Sequence, residues 1–358
     1  MLILYRPGRF VKGIREVFRP AMKRIIWFSL FAVGLAFLLP LLLSAAPAGR
    51  EAPAPEPSPL PSPAADAASA APVLDSGITL LVQTEDGIAE MTMADYLPAA
   101  LSGEMPAAFH PEALKAQAVA LRSYALHYRA AHKEQHPEAD ICASSACCAA
   151  YVSDAELRER WGESYAYYMA KINEAVAATD GQYLVWEDSP ILAVFHASSE
   201  GVTESGADLG MTEPYLQSVS TPETADTVTK LVTEVLVTAE EFRTAVSGIA
   251  PEAAFSGEPS AWLGTVTKNE AGRVEKAVIG GTEVSGLALR QLFSLRSTDF
   301  TLAWDGACFR FEVRGYGHGA GMSQYGADLM ADGGADYTEI LSHYYPGASL
   351  VIAMAAEE

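Results

Sequence analysis

Basic side chains are scarce in this chain. Its 358 residues contain 24 Lys and Arg against 45 Asp and Glu, for a formal net charge of -21. A nucleic-acid-binding protein needs Lys and Arg to neutralise phosphates, so this composition argues against a nucleic-acid partner. Residues 1–24 are the exception: their seven basic residues and one acid give +6, which leaves -27 for residues 25–358.

Charged residues are absent from residues 25–49. About 20 apolar residues are enough to span a bilayer as a helix, so we expect a transmembrane anchor at residues 25–47. The basic tail at residues 1–24 predicts a cytoplasmic N-terminus and a single-pass protein of the cell membrane with its body outside the cytoplasm. A cleaved signal peptide is the alternative, because small residues at 44–48 resemble a cleavage site; the body is extracytoplasmic in both cases.

Several catalytic signatures are also missing. The sequence has no nucleophile elbow, which argues against a serine hydrolase. Its glycine-rich stretch is neither a P-loop nor a dinucleotide fingerprint, so no organic cofactor is expected. We find no internal repeat.

The remaining sequence predicts an α+β fold of mixed helices and antiparallel sheets. Residues 48–75 are an Ala/Pro-rich linker, and the folded ectodomain spans residues 76–352, with a smaller inserted α+β subdomain at about 228–300. Apolar spacing and turn residues predict strands at 78–83, 88–93, 183–186, 191–195, 228–237 and 309–313, a hairpin within 262–280, and helices leading to residue 104 and at 111–128, 161–178, 239–246, 287–295 and 336–345.

Glu104 is the strongest candidate for catalysis. It lies in the turn Ser-Gly-Glu-Met-Pro directly before a strongly patterned helix. A carboxyl held rigidly and partly away from water at such a junction suits a general acid. An acid that only caps a helix is the simpler alternative.

Polar residues elsewhere could complete a binding site. Lys115 and Arg122 share one face of the helix that follows Glu104, either as a solvated basic face or as residues that steady an anion or sugar. A second group of candidates follows the strand that ends at Phe195, and a capped turn is the alternative interpretation there. A third group belongs to the glycine-rich C-terminal motif, and a packed glycine turn is the alternative there. The candidate substrate-binding residues are Lys115, Gln117, Arg122, His196, Ser198, Ser199, His318, Ser323, Gln324 and Tyr325.

Three of the four cysteines lie close together. His136, Cys142, Cys147 and Cys148 form a Cys₃His set that suits a tetrahedral structural zinc. A disulfide is the alternative outside the cytoplasm, and it would leave one thiol over. Four protein ligands leave no open position, which argues against a catalytic metal. We expect Cys308 to be buried and inert.

These motifs resemble the stage II sporulation protein D family, also called the amidase-enhancer family. The resemblance covers residues 76–352 in collinear order through SGEMP with EALKAQAVALRSYAL, AVFHASSEGVTES, RGYGHGAGMSQYGADLMA and EILSHYYPG. It implies a lytic transglycosylase that cuts peptidoglycan between N-acetylmuramic acid and N-acetylglucosamine, with formation of a 1,6-anhydro ring, during spore engulfment.

The resemblance also implies roles for individual residues and partners. The catalytic acid of the family corresponds to Glu104, and its functional basic positions to Lys115 and Arg122. Some members bind zinc through two histidines and two cysteines; here Cys147 stands where the second histidine would be, and Glu200 replaces a usual glycine. The implied partners are peptidoglycan glycan strands, a cell-wall amidase and other engulfment proteins. Two alternative functions stay open. The first is a non-catalytic glycan-binding module that activates an amidase, and the second is a metallohydrolase.

Overall fold

The structure, a computed structural model, describes residues 74–354, in which helices alternate with small sheets. The helices are α1 (Met93–Glu104), α2 (Pro111–Ala131), α3 (Asp154–Trp161), α4 (Tyr165–Ala178), α5 (Ala239–Ile249), α6 (Gly286–Leu292), α7 (Gln324–Asp332) and α8 (Tyr337–Tyr344). The strands are β1 (Thr79–Thr84), β2 (Gly87–Thr92), β3 (Ile141–Cys142), β4 (Gln182–Trp186), β5 (Ser189–Pro190), β6 (Phe195–His196), β7 (Val232–Thr238), β8 (Leu263–Lys268), β9 (Val274–Ile279), β10 (Thr282–Ser285), β11 (Phe300–Trp304), β12 (Cys308–Arg314), β13 (Met322–Ser323) and β14 (Ser349–Ile352). The predicted α+β class with antiparallel sheets is confirmed.

Helix α2 is the centre of the larger hydrophobic core. His110 accepts a hydrogen bond from the amide of Glu112, and Pro111 occupies the first turn, where its missing N–H costs nothing. The apolar stripe predicted from Leu114 to Tyr128 lies inward, and α2 packs against α1, α4, α7, α8 and β4. Elements that carry separate sequence motifs therefore converge on one helix.

Three small sheets complete this part of the fold. The predicted hairpin is confirmed as β1–β2, with Thr79 opposite Thr92, and β3 joins β1 in parallel. Strand β4 pairs with β14 and β5 in antiparallel fashion, and β13 pairs with β6 in parallel. The pairing of β6 with β13 brings the second motif, AVFHASSEGVTES, next to the third motif, RGYGHGAGMSQYGADLMA.

A second hydrophobic cluster is formed by buried residues between Val237 and Val313. It packs under the antiparallel sheets β11–β12–β7 and β10–β9–β8. Phe242 lies at its centre, with its ring centroid 3.9 Å from that of Phe309. The predicted hairpin within 262–280 is confirmed as β8–β9.

Some predicted boundaries were wrong. The helix expected at 161–178 begins at Tyr165, as α4, after the 3₁₀ turn Gly162–Ser164, and helix α3 before that turn was not predicted. The strand expected at 191–195 is irregular until β6, because the amide of Leu192 donates to the Tyr215 hydroxyl instead of to a neighbouring strand. The predicted tail, anchor and most of the linker lie outside the described residues. Within residues 74–354, every helix is too short or too polar to cross a membrane.

Candidate active site

Glu104 is the last residue of α1, so its carboxyl lies at the C-terminal end of a helix. The negative end of a helix dipole disfavours a carboxylate. Burial raises the pKa of Glu104, and the amide of Ala150, which donates to Oε1, opposes that shift. Among residues 74–354 Glu104 forms no salt bridge. The carboxyl is thus held by one amide and biased toward its protonated form.

The contact between α1 and Ala150 depends on Gly103. A Cβ at this position would lie 3.0 Å from both the Cβ and the carbonyl oxygen of Ala150, tighter than ordinary packing. The glycine of the Ser-Gly-Glu motif therefore lets the 148–150 segment approach closely enough to hydrogen-bond the acid.

A groove of about 450 Å³ opens beside Glu104. Its lining residues come from the end of α1, the following turn, and helices α3 and α4: Ser102, Gly103, Glu104, Met105, Pro106, Ala107, Ala108, Arg160, Trp161 and Tyr168. Of these described lining residues, Glu104 is the only acid. The site thus combines one isolated carboxyl with an aromatic wall and a cation.

The turn between Glu104 and α2 is fixed from two sides. Lys171 of α4 donates to the carbonyls of Ala108 and Phe109, while Asp328 of α7 accepts the amide of His110 at 2.6 Å. Tyr325 packs edge-on against Phe109, with ring centroids 4.9 Å apart. The C-terminal motif therefore supports the turn beside Glu104. Tyr325 contributes to this support through its ring contact with Phe109.

Arg122 does not lie on a ligand-binding surface. Its guanidinium is completely buried, and Nε and Nη2 each donate to the carboxylate of Asp75 at 2.6 Å. Nη1 donates to the carbonyl of Gln182 at 2.7 Å. The sequence analysis expected contact with an anion or sugar, whereas the structure shows the guanidinium hydrogen-bonded to these internal partners. Lys115 is partly exposed and pairs with Glu112 at 2.6 Å, outside the lining of the Glu104 groove.

The candidates of the second and third motifs form an internal polar network. Ser199 Oγ lies 2.7 Å from Nε2 of His196 and accepts a hydrogen bond from Arg273 at 2.8 Å. Glu223 accepts from the Ser199 amide and from the hydroxyl of Ser323. Burial lowers the pKa of His196 well below its usual value, so its ring is neutral.

Most of the candidates for ligand contact in these motifs, together with Gln117 of α2, are buried. The side chains enclosed in the protein are those of Gln117, His196, Ser198, Ser199, Ser323 and Gln324. Gln324 donates to Gln117 at 3.4 Å and so links α7 to α2. Polar side chains at strand ends joined the two motifs to each other instead of facing solvent.

His318 faces a different cavity. This second cleft, of about 400 Å³, is lined also by Arg273 and Arg290, and it shares no lining residue with the Glu104 groove. Burial lowers the pKa of His318 to about 4. Gly319 (φ +92°) packs on the guanidinium of Arg273, where a Cβ would lie 2.3 Å from Nη2. The structure thus separates His318 from the acid.

The Cys₃His set is assembled as predicted. One donor atom each from His136, Cys142, Cys147 and Cys148 lies within 4.8 Å of the others. Nδ1 of His136 donates to the Ala139 carbonyl at 3.0 Å, and Nε2 faces Cys148 Sγ at 3.1 Å; in the neutral ring this Nδ1–H tautomer leaves the Nε2 lone pair available to a metal. Such a backbone partner orients a metal-ligating histidine, and the donor set fits zinc.

All four cysteines are free thiols in the structure, and Cys308 is partly exposed, contrary to its expected burial. Burial raises the pKa of Cys148 to about 12. A cation is therefore needed to stabilise a thiolate there. The cluster is linked to Glu104 through Ala150, which follows Cys148 by two residues and donates its amide to the Glu104 carboxyl.

Arg160, Trp161, Tyr168 and Lys171 were missed from the sequence. For the two aromatic residues the run WGESYAYYM carried the signal, since aromatic residues that are dense in a polar, amphipathic segment often line a binding surface. The sequence analysis predicted no helix at 154–161, so it did not contain the corner between α3 and α4 that brings these rings to the Glu104 groove.

Comparison with known proteins agrees with the motifs. The family model described as stage II sporulation protein matches residues 83–186. Stage II sporulation protein D of Bacillus amyloliquefaciens is 34% identical over 74% of this chain and 75% of that protein. The protein of the same name from Bacillus subtilis (strain 168) is 32% identical over 80% of this chain and 81% of that protein. The amidase enhancer of B. subtilis is 26% identical over 71% of this chain but 40% of its own length. The chain that carries this isolated glutamate therefore belongs to the stage II sporulation protein D family.

Proposed function

We propose that the protein is a peptidoglycan lytic transglycosylase acting in sporulation, with Glu104 as its catalytic acid. Protonated Glu104 donates to the glycosidic oxygen as the bond to N-acetylmuramic acid breaks. Its carboxylate then takes the proton of the muramic acid 6-hydroxyl, whose oxygen attacks the anomeric carbon and closes a 1,6-anhydro ring. The proton returns to Glu104, so the enzyme is unchanged after each cycle.

The isolation of Glu104 is the observation that carries this proposal. Glycosidases that use water employ two carboxyl groups about 5–9.5 Å apart. The described lining of the groove provides a single acid, and its raised pKa suits proton donation. A substrate hydroxyl that acts as nucleophile removes the need for a second carboxylate.

Mass spectrometry of the products from purified cell walls tests the proposal. Wild-type chain should release fragments with 1,6-anhydro ends, while Glu104→Gln and Glu104→Ala should release none and keep their melting temperature. Glu90→Gln, an exposed acid on β2, is the matched control and should remain active. Anhydro products from a folded Glu104→Ala protein, or reducing ends only from wild type, would contradict the assignment.

A glycan-binding module that activates a cell-wall amidase is the second candidate, supported by similarity to the protein named amidase enhancer. The two functions differ in product. The enzyme makes anhydro ends by itself, whereas the module makes none and raises the rate at which an added amidase releases stem peptides. Measuring both products from one digest separates them.

We further propose that His136, Cys142, Cys147 and Cys148 hold a structural zinc. Zinc bound there would stabilise the loop that ends at Ala150. A disulfide and a catalytic metal are the competing assignments. Zinc analysis, thiol titration and a comparison of turnover with unfolding during chelation distinguish them: a metallohydrolase loses turnover before it unfolds.

We propose an extracytoplasmic site for the enzyme, anchored in the cell membrane by residues 25–47, with glycan strands, an amidase and other engulfment proteins as partners. The uncharged run and its basic flank support this orientation. Protease treatment of intact protoplasts should remove the ectodomain. Protection of the ectodomain would contradict it.

A further inference from the structure

The aromatic side of the Glu104 groove has no role in the chemistry described so far. Trp161, the last residue of α3, and Tyr168, in the first turns of α4, line it together, with ring centroids 5.5 Å apart and planes inclined by 56°. Both side chains are half-buried and pack against the main core. Their rings are thus held at a fixed angle while part of their surface stays open to the groove.

The corner that carries these rings is built rigidly. Ser153 and Glu156 form a reciprocal capping box at the start of α3. Tyr165 donates to Asp154, and the guanidinium of Arg158 lies 4.1 Å from the Tyr165 ring centroid. Because these contacts join the first turn of α3 to the first turn of α4, the two ring planes keep their angle without a ligand, which lowers the ordering cost of binding.

Arg160 differs from its neighbouring arginine. Arg158 pairs with Asp154 at 2.7 Å. Arg160 lines the groove and makes no salt bridge or hydrogen bond to another residue among 74–354. In a chain this acidic, a free guanidinium beside a lone carboxyl favours a ligand that is itself negatively charged near one end.

We propose that Trp161 and Tyr168 form a stacking subsite for a pyranose ring next to Glu104, and that Arg160 pairs with a carboxylate carried by the bound glycan. The inference rests on the proposed function and deepens it by naming residues that bind substrate. Aromatic rings suit the apolar face of a sugar, and a guanidinium forms paired hydrogen bonds with a carboxylate. The carboxylate is either the lactyl group of muramic acid or the terminus of an attached peptide.

Binding to the inactive full-length Glu104→Gln chain in detergent tests the subsite without turnover. The probes are neutral chitotetraose, a tetrasaccharide of alternating N-acetylglucosamine and N-acetylmuramic acid, and the same tetrasaccharide with its peptides. Adding Trp161→Ala should raise the Kd for all three probes about tenfold, and Trp161→Phe should restore most of the affinity. Tyr316→Ala is the matched control, because Tyr316 is 48% exposed and does not line the groove.

Arg160→Ala should weaken only the charged probes, by about tenfold, and leave chitotetraose unaffected. Tighter binding of the peptide-free acid than of the peptide-bearing one assigns the lactyl carboxylate; the reverse order assigns the peptide terminus. Arg243→Ala, at an exposed arginine of α5 that does not line the groove, is the control and should change the binding of neither the charged nor the neutral probes. Unchanged binding by folded Trp161→Ala, or equal loss for neutral and charged probes in Arg160→Ala, overturns the corresponding assignment. These results are independent of turnover, so they are distinguishable from a failure of Glu104 as the catalytic acid.

Discussion

Replacing Arg122 by Met should destabilise the protein strongly. The change removes a guanidinium that makes two 2.6 Å hydrogen bonds to Asp75 and one of 2.7 Å to the Gln182 carbonyl. The carboxylate of Asp75 would stay buried without its cation. Removing one partner of a buried ion pair costs about 3–5 kcal/mol, which corresponds to a melting temperature lower by roughly 5–15 °C.

The design includes a double variant and a surface control. In Arg122→Met/Asp75→Leu both charges are gone, so much of the lost stability should return. Arg158→Met breaks an exposed pair and should leave the melting temperature unchanged within error. Thermal melts followed by circular dichroism, together with glycan binding, provide the two readouts.

Two results would refute the structural role of Arg122. The first is an Arg122→Met variant that melts like wild type but no longer binds glycan, which would show that the guanidinium contacts the ligand. The second is a double variant as unstable as Arg122→Met, which would show that the stranded carboxylate is not the cause. A coupled loss and recovery of stability supports the buried pair.

Three further predictions follow from the site. Since burial raises the pKa of Glu104, turnover and folded stability should both fall as pH rises through that raised pKa; a basic limb of the kcat–pH profile at the ordinary glutamate value would contradict this. Chelation should release about one zinc per chain and lower the melting temperature, whereas a chain that binds no metal and keeps all thiols free refutes the zinc site. Gly319→Ala should cost roughly 2–5 kcal/mol because its Cβ would collide with the Arg273 guanidinium. Gly334→Ala is the control, because Gly334 has φ +99° but open space around it, so this change adds backbone strain without a collision. Equal losses of unfolding free energy for the two variants in urea would contradict the collision at Gly319.

Local patterns predicted most of the elements around the site. The stripe from Leu114 to Tyr128 repeats at helical spacing, and Thr79–Thr84 with Gly87–Thr92 alternate around a two-residue turn, so neighbours along the chain were sufficient evidence. The Cys₃His set was also visible, because its members lie within 13 residues of each other. Helix α3 was missed because only Leu157 among its eight residues is buried, so it carries no apolar stripe.

The sequence alone determined which residue types were available: one acid in a Ser-Gly-Glu-Met-Pro turn, a compact set of metal-ligand side chains, and the motifs that identify the family. Only the tertiary structure decided which of them meet. It buried Arg122 against Asp75, enclosed His196 and Ser199 in an internal network, and turned Trp161 toward Glu104. These outcomes depend on contacts between residues far apart in the chain, whose free energy comes from burial and pairing that no local pattern contains.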